Sequence, residues 1–254
     1  MTTETLVKVE KVSKIFSGFQ ALKDVSMEVT KGEICSVIGT NGAGKTTLFN
    51  VITGHLRADA GEVFFKGIRV TKLKPHSIVH LGIGRSFQCL NIFLKLTAFE
   101  NVQAAVISHH RKSLNLILNQ KRLYREEVEK ILEEVRLSDI MHVVSGSLSY
   151  GYQKQLELGI ALAFEPELLM LDEPMAGLSA SDSRQTMELI ADIAKRRNTT
   201  LLIVEHDMHV VFTISTHIIV LHQGQVICDG SPEQVRSNEN VQNCYLGETN
   251  DPRS

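Results

Sequence analysis

No apolar run in this sequence is long enough to cross a bilayer. The longest, about a dozen positions at "VVFTISTHIIVL", falls short of the roughly 20 residues that a spanning helix needs. A surplus of charge is equally lacking. The 27 Lys and Arg nearly balance 29 Asp and Glu, leaving −2 at neutral pH without the basic footprint of a general nucleic-acid binder, so no nucleic-acid partner is expected. The opening "MTTETLVKVEKV" has no charged start, apolar centre or small-residue cleavage site, which predicts synthesis and residence in the cytosol. Its four cysteines, Cys35, Cys89, Cys228 and Cys244, form no Cys-x-x-Cys pair, so reduced structural thiols without a further role are expected. No internal repeat or low-complexity tract stands out. What remains is 254 residues, enough for one large α/β domain or two small ones held by burial alone.

Apolar spacing orders the chain. "LVKVEKVSKIF" and "ALKDVSMEVT" alternate as antiparallel strands with one wet face, and "EICSVIG" is a compact strand running into a glycine-rich turn. "KTTLFNVITG" reads as a helix, "GEVFFKG" and "GIGRSFQ" as strands. From about Leu90 to Ser147, "LTAFENVQAAVIS" and "YREEVEKILEEVRL" carry helical spacing with little strand character, a helical insertion. Alternation then resumes: helix "LELGIALAF", strand "ELLMLDEP", helix "SRQTMELIADIAKRR", and strands "TTLLIVEH", "HIIVLHQG" and "QVICDG". The pattern predicts a parallel, doubly wound sheet with an antiparallel portion at the N-terminus.

Three stretches carry chemistry. "GTNGAGKTT", Gly39 to Thr47, fits G-x-x-x-x-G-K-[ST] between a strand and a helix. In that setting the glycines let successive backbone N–H groups surround phosphate oxygens, Lys45 reaches the β and γ phosphates, and Thr46 offers its hydroxyl to magnesium. "LLMLDEP" is an apolar strand ending in two acids, a costly placement unless a cation or a proton transfer uses them. Asp172 is expected to hold hydrated magnesium, and Glu173, pointing the other way, to accept a proton from an attacking water. "LLIVEHD" ends similarly at the sheet edge where ligands gather; there His206 is placed to bond a γ-phosphate, though a lone histidine at a strand end is more often half-buried structure. Gln88 offers an amide to magnesium or water, although an isolated glutamine carries little signal.

A fourth stretch, "LSYGYQKQ", holds no acid, histidine or cysteine and needs context. Taken in order, "GTNGAGKTT", "SFQ", "LSYGYQ", "LLMLDEP", "AGLS" and "EH" resemble the ATP-binding cassette of ABC transporters across nearly the whole chain. The resemblance implies an α/β fold, with a P-loop NTPase (RecA-like) parallel sheet core, an N-terminal antiparallel β-subdomain and an inserted α-helical subdomain. Residues 1–254 would form a single ATPase domain, with 1–88 and 156–254 as the nucleotide-binding core and 89–155 as the helical subdomain.

By the same resemblance ATP and Mg2+ are the expected ligands. Gly39, Thr40, Asn41, Gly42, Ala43, Gly44, Lys45, Thr46 and Thr47 would bind ATP, Phe16 would stack on its adenine with Phe19 as a weaker competitor, and Thr46, Gln88 and Asp172 would face Mg2+. Glu173, His206 and Gln88 would serve hydrolysis, Gln88 also linking the site to the membrane partner. Ser149, Tyr150, Gly151, Tyr152 and Gln153 would be the family signature, which closes over a nucleotide held by a partner cassette. "CLNIFLKLT", with Ile92 and Phe93, would border the groove for a transmembrane subunit, unless those two side chains are core. Three positions depart from the family pattern: Tyr150 and Tyr152 stand for a glycine and a glutamine of the signature, and Ser179 for an aspartate.

Within the family, "LSYGYQKQLELGIALAFEPELLMLDEPMAGL", "LLIVEHDM" and "YLGE" look most like cassettes of bacterial importers for branched-chain amino acids and related amides or urea. That implies a second cassette, two membrane subunits, an external binding protein and a place at the cytoplasmic face of the inner membrane. Lipid or lipopolysaccharide exporters are the alternative, and a soluble nucleotide-binding regulator a more distant one.

Overall fold

A computed structural model describes residues 4–86, 92–110 and 124–246. The alternation at the start of the chain makes β1 (Thr5–Phe16) and β2 (Phe19–Thr30), paired antiparallel with Val7 opposite Val29 and Val9 opposite Met27. Because side chains alternate across a strand, this register puts those four apolar residues on one buried face. β4 (Ala60–Phe65) joins the free side of β1 and β5 (Ile68–Arg69) follows, giving the order β2-β1-β4-β5.

The second sheet has the order β10-β9-β3-β8-β7-β6. Its members are β3 (Ile34–Ile38), β6 (Ile83–Arg85), β7 (Leu168–Asp172), β8 (Thr200–Val204), β9 (His217–His222) and β10 (Gln225–Gly230). All pair in parallel except β10, which runs antiparallel to β9 at one edge. β7 and β8 are buried along their full length, as strands covered on both faces must be.

One core lies between the two sheets, where Phe49 of α1 (Lys45–Ile52) meets Phe65 and Leu202. A second lies on the opposite face of the parallel sheet and joins α3 (Ala98–His109), α4 (Arg125–Glu134), α5 (Tyr150–Leu162) and α6 (Ala180–Arg197) to β7 and β8. The helical insertion therefore shares its core with the sheet. α5 runs through the 155/156 position at which the sequence divides the subdomains, and it begins at Tyr150 rather than near Leu156.

Four helices lie where the sequence reading has none: α2 (Pro75–Leu81), α7 (Met208–Ile214), α8 (Pro232–Ser237) and α9 (Glu239–Leu246). α7 and β9 divide the longest apolar run between them, with Ser215 and Thr216 at the break. Among the described residues no helix is long and apolar enough to cross a membrane.

Candidate functional site

β3 ends at Ile38, and the chain turns through Gly39–Gly44 into α1. Two glycines are required by close approach: a Cβ at Gly39 would lie 2.2 Å from the Leu221 carbonyl oxygen, and one at Gly44, whose φ is +107°, would lie 2.6 Å from that of Ala21. Any side chain at either position would push the loop off β9 and β2. Lys45, the first residue of α1, is buried and donates to the carbonyls of Gly39 at 2.7 Å and Thr40 at 3.0 Å. Burial draws its pKa below the usual lysine value, while the carboxylates of Glu173 and Asp172 oppose that shift.

Those carboxylates close β7. Asp172 is 1% exposed; its Oδ2 accepts from the Arg85 guanidinium at 3.2 Å, and its buried Oδ1 has no hydrogen-bond partner among the described residues. Burial raises the Asp172 pKa against the pull of Arg85. The same guanidinium donates to Asn50 Oδ1 at 2.7 Å and Thr53 Oγ1 at 3.0 Å, so it ties the ends of β6 and β7 to α1. An orphaned, buried carboxylate oxygen beside the phosphate loop fits a cation, which would satisfy it.

The next residue breaks the strand. Glu173 has a φ of +50°, in the left-handed region that non-glycine residues rarely occupy, and its N–H donates to the Val204 carbonyl at 2.9 Å. That turn brings its Oε1 within 2.7 Å of His206 Nε2. Beneath them, buried Glu205 accepts from the backbone N–H groups of Met175 at 3.0 Å and His206 at 3.1 Å, with burial raising its pKa. Glu205 thus holds the loops after β7 and β8 together.

A cleft of about 290 Å³ gathers Phe16, Asn41 to Thr47, Glu173 and His206, with Phe19 on the same wall. Phe16 is 40% exposed and Phe19 66%, and the Lys14 ammonium lies 5.4 Å from the Phe16 ring centre. Gly39 and Thr40, at the start of the loop, do not line that cleft, and their carbonyls accept from Lys45. Gln88 lies outside the described residues. Arg85 and Glu205 belong to this constellation although no motif marks them.

The signature residues do not line that cleft. Ser149 caps α5, its hydroxyl accepting from the Tyr152 N–H, and Gln153 Nε2 donates to the carbonyls of Ser145 at 3.1 Å and Leu148 at 3.2 Å. Tyr150 and Tyr152 are exposed. The Tyr150 ring rests on Gly177, where a Cβ would lie 3.1 Å from it, and this glycine has a φ of +81°. Ser179, in place of the family's aspartate, accepts from the Asp182 N–H at 3.2 Å and caps α6. Phe93 is exposed, whereas Ile92 packs against the helical core.

Comparison with known proteins places the chain in a family. A family model described as "ABC transporter" matches residues 22–176, and one described as "Branched-chain amino acid ATP-binding cassette transporter" matches residues 225–251. The chain is 37% identical to the high-affinity branched-chain amino acid transport ATP-binding protein BraF of Pseudomonas aeruginosa, across 96% of this chain and 98% of BraF. Among solved structures, MJ1267, an ATP-binding cassette of an ABC transporter, superposes with a TM-score of 0.85 at 34% identity over 96% of this chain and 99% of that one. The dimeric structure of MJ0796, a bacterial ABC transporter cassette, does so with a TM-score of 0.77 at 26% identity over 89% of this chain and 99% of that one.

Proposed function

The chain belongs to the ATP-binding cassette family of ABC transporters, and from that premise we propose that it powers the import of branched-chain amino acids. As a member of the family it is an ATPase with the P-loop NTPase fold. The observation that carries the reading of its site is the Glu173–His206 hydrogen bond facing Lys45 across a single cleft.

In this reading Phe16 stacks on adenine, the backbone of Asn41 to Gly44 and the Lys45 ammonium receive the phosphates, and Glu173 takes the proton of the attacking water. His206 orients the Glu173 carboxylate through Nε2 and stands beside the γ-phosphate. Asp172 Oδ1, with Thr46 and Gln88, would hold Mg2+. That ion supplies neutralisation of charge on the β and γ phosphate oxygens. Ser149 and the Gly151 backbone, at the start of α5, act on the nucleotide of a second cassette, a reading supported by their absence from this chain's own cleft and by the dimeric relative.

The assembly is then two cassettes, membrane permease subunits and an external substrate-binding protein, with this chain at the cytoplasmic face of the inner membrane. Reconstitution of the chain with its permease subunits and binding protein in vesicles tests the whole reading. ATP-dependent uptake of labelled leucine, isoleucine or valine is the expected result. ATP-driven release of lipid without amino-acid uptake would replace it with the exporter reading.

A further inference from the structure

A cleft of about 1110 Å³ lies apart from the one at the phosphate loop. It opens between the antiparallel sheet and the strand-start edge of the parallel sheet, and Glu33, His217 and Asp229 line its inner end. Parallel pairing of β3 with β9 sets Cys35 opposite His217, and Glu33 lies two residues before Cys35. The Cys35 Sγ, a Glu33 carboxylate oxygen and a His217 ring nitrogen all lie within 4.8 Å of one another.

Two of these three groups are themselves oriented. His217 Nδ1 faces Glu33 Oε1 at 3.0 Å, while the opposite nitrogen, Nε2, bonds the Asp229 carboxylate. Glu33 accepts from the Thr30 N–H at 2.8 Å and from the Thr30 hydroxyl. A carboxylate on the far ring nitrogen is the outer-shell arrangement that fixes the tautomer of a metal-bound histidine. An imidazolium bridging Glu33 and Asp229 would account for three of these side chains. In that arrangement the thiol, fully buried beside the ring, serves only as a further hydrogen-bond partner of the imidazole.

We propose that Glu33, Cys35 and His217 bind a divalent transition ion of the zinc class, with Asp229 positioning the imidazole and the cleft leaving a fourth position open. Thiolate, imidazole and carboxylate together are the donor set such an ion selects over magnesium or calcium. The thiol proton and any Nδ1 proton leave as the ion enters. Cys35 sits roughly 13 Å along the strand from the start of the phosphate loop, at about 3.3 Å per residue. The ion would clamp the β2–β3 turn to β9 and β10 without touching nucleotide. It would therefore raise thermal stability and leave ATP affinity unchanged.

The test uses the full chain, stripped with a chelator and titrated with Co2+ as a spectroscopic probe. A near-ultraviolet thiolate-to-cobalt band, together with the visible bands of a tetrahedral ion and their displacement by Zn2+, is expected. Cys35→Ser and His217→Gln should abolish the thiolate band while still binding ATP. Should Cys35→Ser fail to fold, two changes at the cleft edge give a separate reading: Asp229→Asn should weaken Co2+ binding by about 10-fold to 100-fold, and Glu33→Gln at least as much. No thiolate band in the parent chain overturns the site, as does a band that persists in Cys35→Ser or wild-type affinity in both edge variants.

Discussion

Glu173 and His206 meet through a 2.7 Å hydrogen bond across the gap between the ends of β7 and β8. The contact depends on the left-handed turn at Glu173, which carries its carboxylate away from the buried side chain of Asp172. Adjacent acids thereby take different surroundings: Asp172 faces Arg85, and Glu173 faces the cleft. Glu173→Gln keeps the size and one acceptor oxygen but cannot take a proton. Phosphate release should fall by about 10²-fold to 10⁴-fold, the usual worth of a general base, with equilibrium ATP binding retained. Loss of binding instead would make Glu173 a nucleotide contact.

Phe16 and Phe19 flank one wall of the same cleft, and only one need stack on the base. Phe16 is the more sheltered of the two and carries the Lys14 ammonium over its ring. Phe16→Ala should weaken ATP binding by about 1 kcal/mol through lost stacking, with little effect from Phe19→Ala. Fluorescent-nucleotide titration of both variants measures this, and a larger loss at Phe19 would transfer the role.

Arg85 is the cation that opposes the burial-driven rise in the pKa of Asp172, which is 1% exposed. Arg85→Ala would leave that carboxylate buried without its partner, a change that costs about 3–5 kcal/mol in comparable pairs. Urea unfolding reads the loss directly. Arg85→Lys, which keeps the charge without the fork, should recover only part of it because Asn50 and Thr53 share the guanidinium. A loss well under 1 kcal/mol would mean that Asp172 simply takes up a proton in the variant.

The order of strands and the phosphate loop were legible because period and motif are local properties of the chain. Arg85 was not, since its contact with Asp172 spans 87 positions and lies within no spacing rule. The start of α5 was hidden for another reason. Its first two turns bury Lys154 and Glu157 against each other at 3.5 Å, so a buried face there is written in charged residues and shows no apolar period. The Ser149 cap was the available signal. α2, α7 and α8, of six or seven residues each, are too short to complete two turns of pattern. That the signature residues do not line the chain's own cleft was expected from the family resemblance alone and from no local pattern, because it depends on where α5 starts in space.

Phe93 and Leu94 are exposed apolar side chains at 63% and 54%, and the Leu94 carbonyl accepts from the Gly146 N–H at 2.9 Å. A groove for a membrane subunit would use them. Phe93→Glu should leave the ATPase rate of the isolated chain unchanged and abolish amino-acid uptake in the reconstituted complex. Ile92 is the contrasting control: it packs against the helical core, so Ile92→Glu should lower thermal stability. Normal uptake with Phe93→Glu would remove this face from the permease contact.

Ser149 completes the case for action between chains. Its hydroxyl caps α5, and neither it nor Gly151 lines the cleft that holds Lys45 and Glu173. In a Glu173→Gln background, ATP should accumulate unhydrolysed and hold two cassettes together, giving a dimer by size-exclusion chromatography only when ATP is present. Adding Ser149→Arg places a bulky charge at the helix start where the partner's phosphate would dock. The dimer should dissolve while each chain still binds ATP at its own loop. Loss of the cap alone costs about 1 kcal/mol, too little to unfold the domain, so the two effects are separable by circular dichroism. Tyr150 and Tyr152 stand on the same exposed helix end and would shape which cassette fits, so a chain that fails to pair with itself is to be tested with its cognate partner cassette. Loss of ATP binding by a folded Ser149→Arg monomer would place the signature in its own site and end the reading in trans.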